Sequence, residues 1–202
     1  MLDKDPNLVN AVDAQRSSVI FKTISYGNLP AFHRLIREDK NILLSQYQSH
    51  PNFLLLTSVI VRCGSVEMLE TVFEHFPETL LEIDPNNGLT ALQLACRINK
   101  MEMIKVIVEK GVEKSGINFV APKMPGKDFQ YFDEQNRYNS TAVHYAISQE
   151  SEEMLSLLID NGADLSITNR GGQTPLAYAC SQNQQPMVEY LLSQQYQFLV
   201  IN

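Results

Sequence analysis

The chain has 202 residues, 44% of them apolar and 19% charged, with a formal net charge of −7 at pH 7. That balance describes an ordered globular chain with a sizeable core, arranged as one domain or two, and weighs against general nucleic-acid binding. No run approaches the ~20 apolar residues that span a bilayer, the acidic start Met1-Leu2-Asp3-Lys4-Asp5-Pro6 lacks the apolar stretch of a secretory signal, and three widely spaced cysteines (Cys63, Cys96, Cys180) without a CxxC suit a reducing, cytoplasmic setting.

In chain order, residues 1–17 are expected to cap the exposed end of a series of similar units. These units have origins at Ser18, Leu55, Thr90, Thr141 and Thr174, the last two 33 residues apart, and a recurrence of that length marks a stacked array. Two, five and six residues after each origin lie Ile20/Thr23/Ile24, Thr57/Ile60/Val61, Leu92/Ala95/Cys96, Val143/Ala146/Ile147 and Leu176/Ala179/Cys180. This spacing predicts a short helix with one buried stripe, in which Cys96 and Cys180 are both core fillers. Nine residues on come Gly27, Gly64, Asn99, Glu150 and Asn183. Glycine and asparagine suit a tight turn with positive φ, so Glu150 departs from the pattern.

A second helix follows each turn, with Pro30 and Pro186 in the first turn of two of them. Its buried quartets are Ala31/Phe32/Leu35/Ile36, Met68/Leu69/Val72/Phe73, Met103/Ile104/Ile107/Val108, Met154/Leu155/Leu158/Ile159 and Met187/Val188/Leu191/Leu192. One such helix pair is too thin to bury its own stripe, so neighbours must stack and share one elongated core.

The steps between origins are 37, 35, 51 and 33 residues. Asn41-Ile42-Leu43-Leu44 and Pro77-Glu78-Thr79-Leu80-Leu81-Glu82-Ile83-Asp84 read as short turns anchored by apolar residues. The 51-residue step carries 18 extra residues, and Gly116–Val120 and Asp128–Phe132 alternate as two short strands around a Pro-Gly turn. An ordered hairpin is expected there; a disordered insert is the alternative, since long surface insertions cost little. The last helix is expected to end near Ser193. The apolar tail Gln197–Asn202 then either folds back over the last unit or leads into a longer protein.

These residues carry a resemblance to the ankyrin-repeat family. It is strongest in Gly172-Gln173-Thr174-Pro175-Leu176 followed by Ala179, with Asp160-Asn161-Gly162-Ala163-Asp164 before it, and nearly as strong in the two preceding units. The resemblance implies an all-α solenoid of about five repeats in a domain 18–202. The repeats lie near 18–50, 51–84, 85–116, 136–168 and 169–197, with an enlarged hairpin finger at 117–134. It also implies that partners are met by the finger tips and by the residues just before each helix–helix turn. Carried onto this chain, the turn positions include Tyr26, Arg62, Arg97, Gln149 and Gln182. The finger positions include Asn86, Asn87, Arg137, Tyr138, Arg170 and Gln173, and Phe119, Phe129, Tyr131 and Phe132 of the insertion complete the set. Four of the seven arginines share this surface, while Glu67, Glu70, Glu74, Glu102, Glu109, Glu152, Glu153 and Glu189 belong to the second helices.

His33, His50, His75 and His144 are scattered without metal-ligand spacing, and no phosphate-cradling glycine motif or GxSxG occurs. The family often places a histidine where His144 stands, for hydrogen bonds between neighbouring loops. The expectation is therefore a non-catalytic protein–protein interaction module, monomeric on its own, without cofactor or metal. Its partner is another protein, with an acidic or phosphorylated segment suited to the arginines. The alternative is an N-terminal targeting module of a larger effector enzyme acting in a host cytosol, because the degenerate, Asn/Gln-rich repeats are similar to those of bacterial effectors.

Overall fold

A computed structural model describes residues 19–38, 56–63, 65–84, 88–110, 117–118 and 140–201. The expected capping segment 1–17, the connector at 41–44 and the insertion from residue 119 to 139 lie outside them. Ten α-helices form five pairs among the described residues. The first helix of each pair is α1 Val19–Ser25, α3 Leu56–Cys63, α5 Ala91–Arg97, α7 Ala142–Ser148 and α9 Pro175–Ser181. The second is α2 Leu29–Glu38, α4 Val66–His75, α6 Met101–Glu109, α8 Glu152–Asp160 and α10 Gln185–Ile201. No strand occurs among the described residues.

Each first helix begins one residue after its sequence origin, and in α5, α7 and α9 the origins Thr90, Thr141 and Thr174 are the N-caps. Thr90 makes a full capping box: Gln93 N–H donates to Thr90 Oγ1 and Thr90 N–H to Gln93 Oε1. Thr174 accepts from the Ala177 N–H in the same way. At the other end the chain turns by one recurring device. Gly27, Asn99, Glu150 and Asn183 have φ of 63°, 55°, 52° and 56°. Each donates its N–H three residues back, and the next residue donates five back; Asn99 reaches Cys96 at 3.2 Å and Lys100 reaches Ala95 at 2.9 Å. That is the Schellman closure, which satisfies the last carbonyls of the helix. Glu150 therefore adopts the turn conformation that its residue type disfavours: the offset sets its geometry.

First helices stack on first helices, α1 on α3 on α5 on α7 on α9, and second helices α2, α4, α6 and α8 form a row behind them. The core runs along the seam between the rows, where Leu35, Leu69, Ile104 and Leu155 are 1% exposed or less. The repeated methionines Met68, Met103, Met154 and Met187 are all buried in it. The Pro77–Leu81 connector is a single 3-10 helix that drops Leu80 into the core.

Four expectations need correcting. Leu192, expected in the buried quartet of the last helix, is 38% exposed, because its offset faces a following second helix and none follows among the described residues. Cys180 is exposed although Cys96, at the same offset, is fully buried. That offset faces the following helix pair, and none follows α9–α10 among the described residues. The last helix does not stop at Ser193 but continues to Ile201, because neither glycine nor proline interrupts it. Ile117 and Asn118 lie in a helical turn instead of the expected first strand, with Ile117 buried in the core.

Candidate interaction surface

The residues seven and eight after each origin, at the end of each first helix, come to the rim of the stack. Because first helices lie side by side, the pairs Ser25/Tyr26, Arg62/Cys63, Arg97/Ile98, Ser148/Gln149 and Ser181/Gln182 follow one another along that rim. Tyr26 is 79% exposed; Arg62, Cys63, Ser148, Ser181 and Gln182 are exposed, and Arg97, Ile98 and Gln149 are half-buried. Gln149 is partly committed to the scaffold, since its Nε2 donates to the Arg97 carbonyl at 3.0 Å. Lys100 adds an exposed cation one turn beyond Arg97, and Glu150 an exposed anion beside Gln149.

The loops leading into the first helices flank this rim. In the last of them the Asn169 side chain holds the tip: its Oδ1 accepts from Gly171 N at 2.9 Å and from Gln173 N at 3.0 Å. Gly172 takes φ 74°, the Asn169 N–H reaches the Gln173 carbonyl, and Arg170 projects exposed from the tip. The preceding counterpart pairs Asp84 N–H with the Leu89 carbonyl, with Gly88 at φ 68°.

Two buried side chains at one offset tie loop to loop. Gln93 Nε2 donates to the Ser140 carbonyl at 3.0 Å. His144 Nε2–H donates to the Gln173 carbonyl at 3.0 Å, so Nδ1 accepts the Thr141 hydroxyl at 2.8 Å. This neutral tautomer agrees with a pKa lowered from 6.5, with burial the cause and the bond to Gln173 opposing it. Burial also pushes the Tyr145 hydroxyl up to about 12 and the Cys96 thiol well above its usual range. Asn118, which the sequence reading passed over, clamps the base of the insertion. Its Nδ2 donates to the Gly162 carbonyl at 3.2 Å and its Oδ1 accepts from Asp164 N at 2.7 Å. The segment 119–139 thus leaves from Asn118 and returns at Ser140, both held on the loop side of the stack. The matching offsets of Gln93 and His144 were a usable signal for the ties; Asn118 had none, because its partners lie 44 and 46 residues away.

On the opposite side, the second helices expose Glu67, Glu74, Glu102, Glu109, Glu152, Glu153 and Glu189. Lys105 pairs with Glu153 and Lys110 with Glu74, each at 3.1 Å, across neighbouring second helices. A notch of about 170 Å³ between α2 and α4 is lined by His33, Ile36, Arg37, Thr71, Glu74 and His75, too small for a cofactor-sized ligand. No three His, Cys, Asp or Glu side chains gather to hold a metal among the described residues, and no helix there is long and apolar enough to cross a membrane. Of the expected contact residues, the structure places Tyr26, Arg62, Arg97, Gln149 and Gln182 on the rim and Arg170 and Gln173 on the flanking loop. Asn86, Asn87, Phe119, Phe129, Tyr131, Phe132, Arg137 and Tyr138 lie outside the described residues.

Comparison with known families identifies what this repeated scaffold is. The family model described as "Ankyrin repeats (3 copies)" matches residues 118–201 and a single-repeat model residues 87–115, together more than half of the chain. The chain belongs to the ankyrin-repeat family. It is 26% identical over 185 residues to human B-cell lymphoma 3 protein, covering 90% of this chain and 37% of that one. It is 42% identical over 138 residues to an ankyrin repeat protein of fowlpox virus, covering 67% and 16% respectively. The crystal structure of the ankyrin repeat domain of Bcl-3, a member of the IkappaB protein family, superposes with a TM-score of 0.63 at 23% identity, covering 88% of this chain and 71% of that one. At that identity the superposition establishes the fold alone. The chain spans no more than 37% of the length of the curated relatives it matches. Ankyrin repeats generally mediate protein–protein interaction.

Proposed function

We propose that this ankyrin array binds a partner protein along the rim of its first helices and the flanking loops, with Tyr26, Arg62, Arg97 and Arg170 as anchors. The observation that carries the reading is a bias of charge: Arg62, Arg97 and Arg170 lie on the rim and loops, while exposed glutamates line α4, α6, α8 and α10, and only the first of the second helices, α2, exposes arginines (Arg34 and Arg37) among the described residues. Arginine and tyrosine supply planar contacts and bidentate hydrogen bonds at low entropic cost, and they dominate interface hot spots. The partner segment facing Arg62 and Arg97 is acidic or phosphorylated, since guanidinium groups pair two-pronged with carboxylate and phosphate. Schellman turns and loop ties hold the rim rigid before binding, so little ordering entropy is lost. Asn118 and Ser140, which bracket the insertion, are both held on the loop side of the stack, and this supports a contribution of the insertion's aromatic residues to the contact.

The test is affinity capture of a partner followed by titration with the captured protein. R62E/R97E is compared with E102R/E152R, a charge reversal on the second helices. Binding is expected to weaken tenfold or more, roughly the loss of one hot spot, in the arginine variant only. Equal affinities for both variants and the parent overturn the rim as the contact surface.

A further inference from the structure

The joint between the second and third helix pairs differs in chemistry from those that follow it. What faces the next pair can be read from the last one. In α9 the residues two, three and six after the origin are Leu176, Ala177 and Cys180; the first is half-buried and the other two are exposed. Their counterparts Leu92, Gln93 and Cys96, and Val143, His144 and Ile147, are all 1% exposed or less. These offsets therefore contact the following pair.

At the α5–α7 joint they supply an apolar side chain and the Gln93 bond to Ser140. The α7–α9 joint has Val143 and the His144 bond to Gln173. Between α3 and α5 the same places hold Thr57 and Ser58, 1% and 0% exposed, with Val61 the apolar third, and neither hydroxyl has a hydrogen-bond partner among the described residues. A hydroxyl buried in this way gives up its bonds to water on folding and receives none in return. Behind it, the Glu74–Lys110 pair crosses from α4 to the end of α6 with side chains 61% and 35% exposed, and such surface pairs add little.

We propose that the array parts at this joint: α1–α4 separate from α5–α10 as one cooperative unit, more readily than the chain opens at the α5–α7 joint. In an array whose units touch only their neighbours, stability is a sum of unit and joint contributions, and opening follows the joint with the smallest. The parting line runs between Arg62 and Arg97, so the joint is a hinge across the rim. This holds whatever the rim binds.

Native-state hydrogen exchange on the full chain tests it. The slowest amides of α1–α4 are expected to exchange as a group, roughly tenfold or more faster than those of α5 and α7. T57V/S58A, which replaces each unpaired hydroxyl with a methyl or hydrogen, is expected to slow exchange in α1–α4 roughly tenfold and leave α7 and α9 unchanged. S58Q, borrowing the residue of α5, is expected to do the same. Equal protection of α1–α4 and α5–α7 in the parent overturns the proposal. So does a T57V/S58A chain that is less stable than the parent, because its hydroxyls would then have been paired.

Discussion

Glu150 shows how far position can override residue type. Gly27, Asn99 and Asn183 hold equivalent turns with φ near 60°, and Glu150 holds the fourth at 52°. A side chain with a Cβ is disfavoured there, so replacing Glu150 by glycine relieves strain while the hydrogen bonds of the turn remain. E150G is expected to stabilise the protein by about 1 kcal/mol, read as an upward shift of the urea midpoint at unchanged slope. The cysteines make the complementary point. Cys96 and Cys180 are the same residue at the same offset, yet one is sealed and one is exposed. Neither difference is written in the local sequence, since each depends on what packs against the position.

Between elements, short polar ties do what the apolar stripes cannot, which is to set one loop against the next. His144 is the clearest case, held neutral by burial with both ring nitrogens engaged. Its folded pKa lies below the ordinary 6.5, so the unfolded chain takes up the proton first as pH falls. The contribution of the neutral side chain is complete above the unfolded value and is lost as pH drops below 6.5 toward the folded value. Stability should therefore decline from pH 7 toward pH 5, and H144Q, which carries the residue of the Gln93 tie, is expected to flatten that decline in parallel chemical denaturations. A slope unchanged in H144Q would place the titrating group elsewhere. The starts of α5, α7 and α9 were legible from threonine caps, and the stops of α1, α5, α7 and α9 from the turn offset. Asn118 was not, because its role is set by a loop more than 40 residues further along the chain.

At the scale of the whole molecule, stacking turns a weak local charge bias into two faces. A net charge of −7 hides a rim with Arg62, Arg97 and Lys100, backed by rows of exposed glutamates. Oppositely charged partners feel such a face through a screened field. Affinity for the captured partner is expected to fall severalfold, roughly one decade at most, between 50 and 500 mM salt, and R62E/R97E should lose most of that dependence in isothermal titration. Salt-independent binding by the parent would mean that the contact is made by the apolar residues of the face.

The sequence alone determined the ankyrin class, the register of every first helix, the paired-helix unit and most of the buried quartets, Leu192 being exposed. It could do so because these follow from short-range periodicity and capping, which repeat at fixed spacing. Only the tertiary structure decided that Cys180 stands in the open, that Asn118 clamps a loop, that the last helix runs to Ile201, and that Thr57 and Ser58 are buried without hydrogen-bond partners among the described residues. Each of these turns on which surface a neighbouring unit covers, a relation between residues distant in the chain that no local pattern encodes.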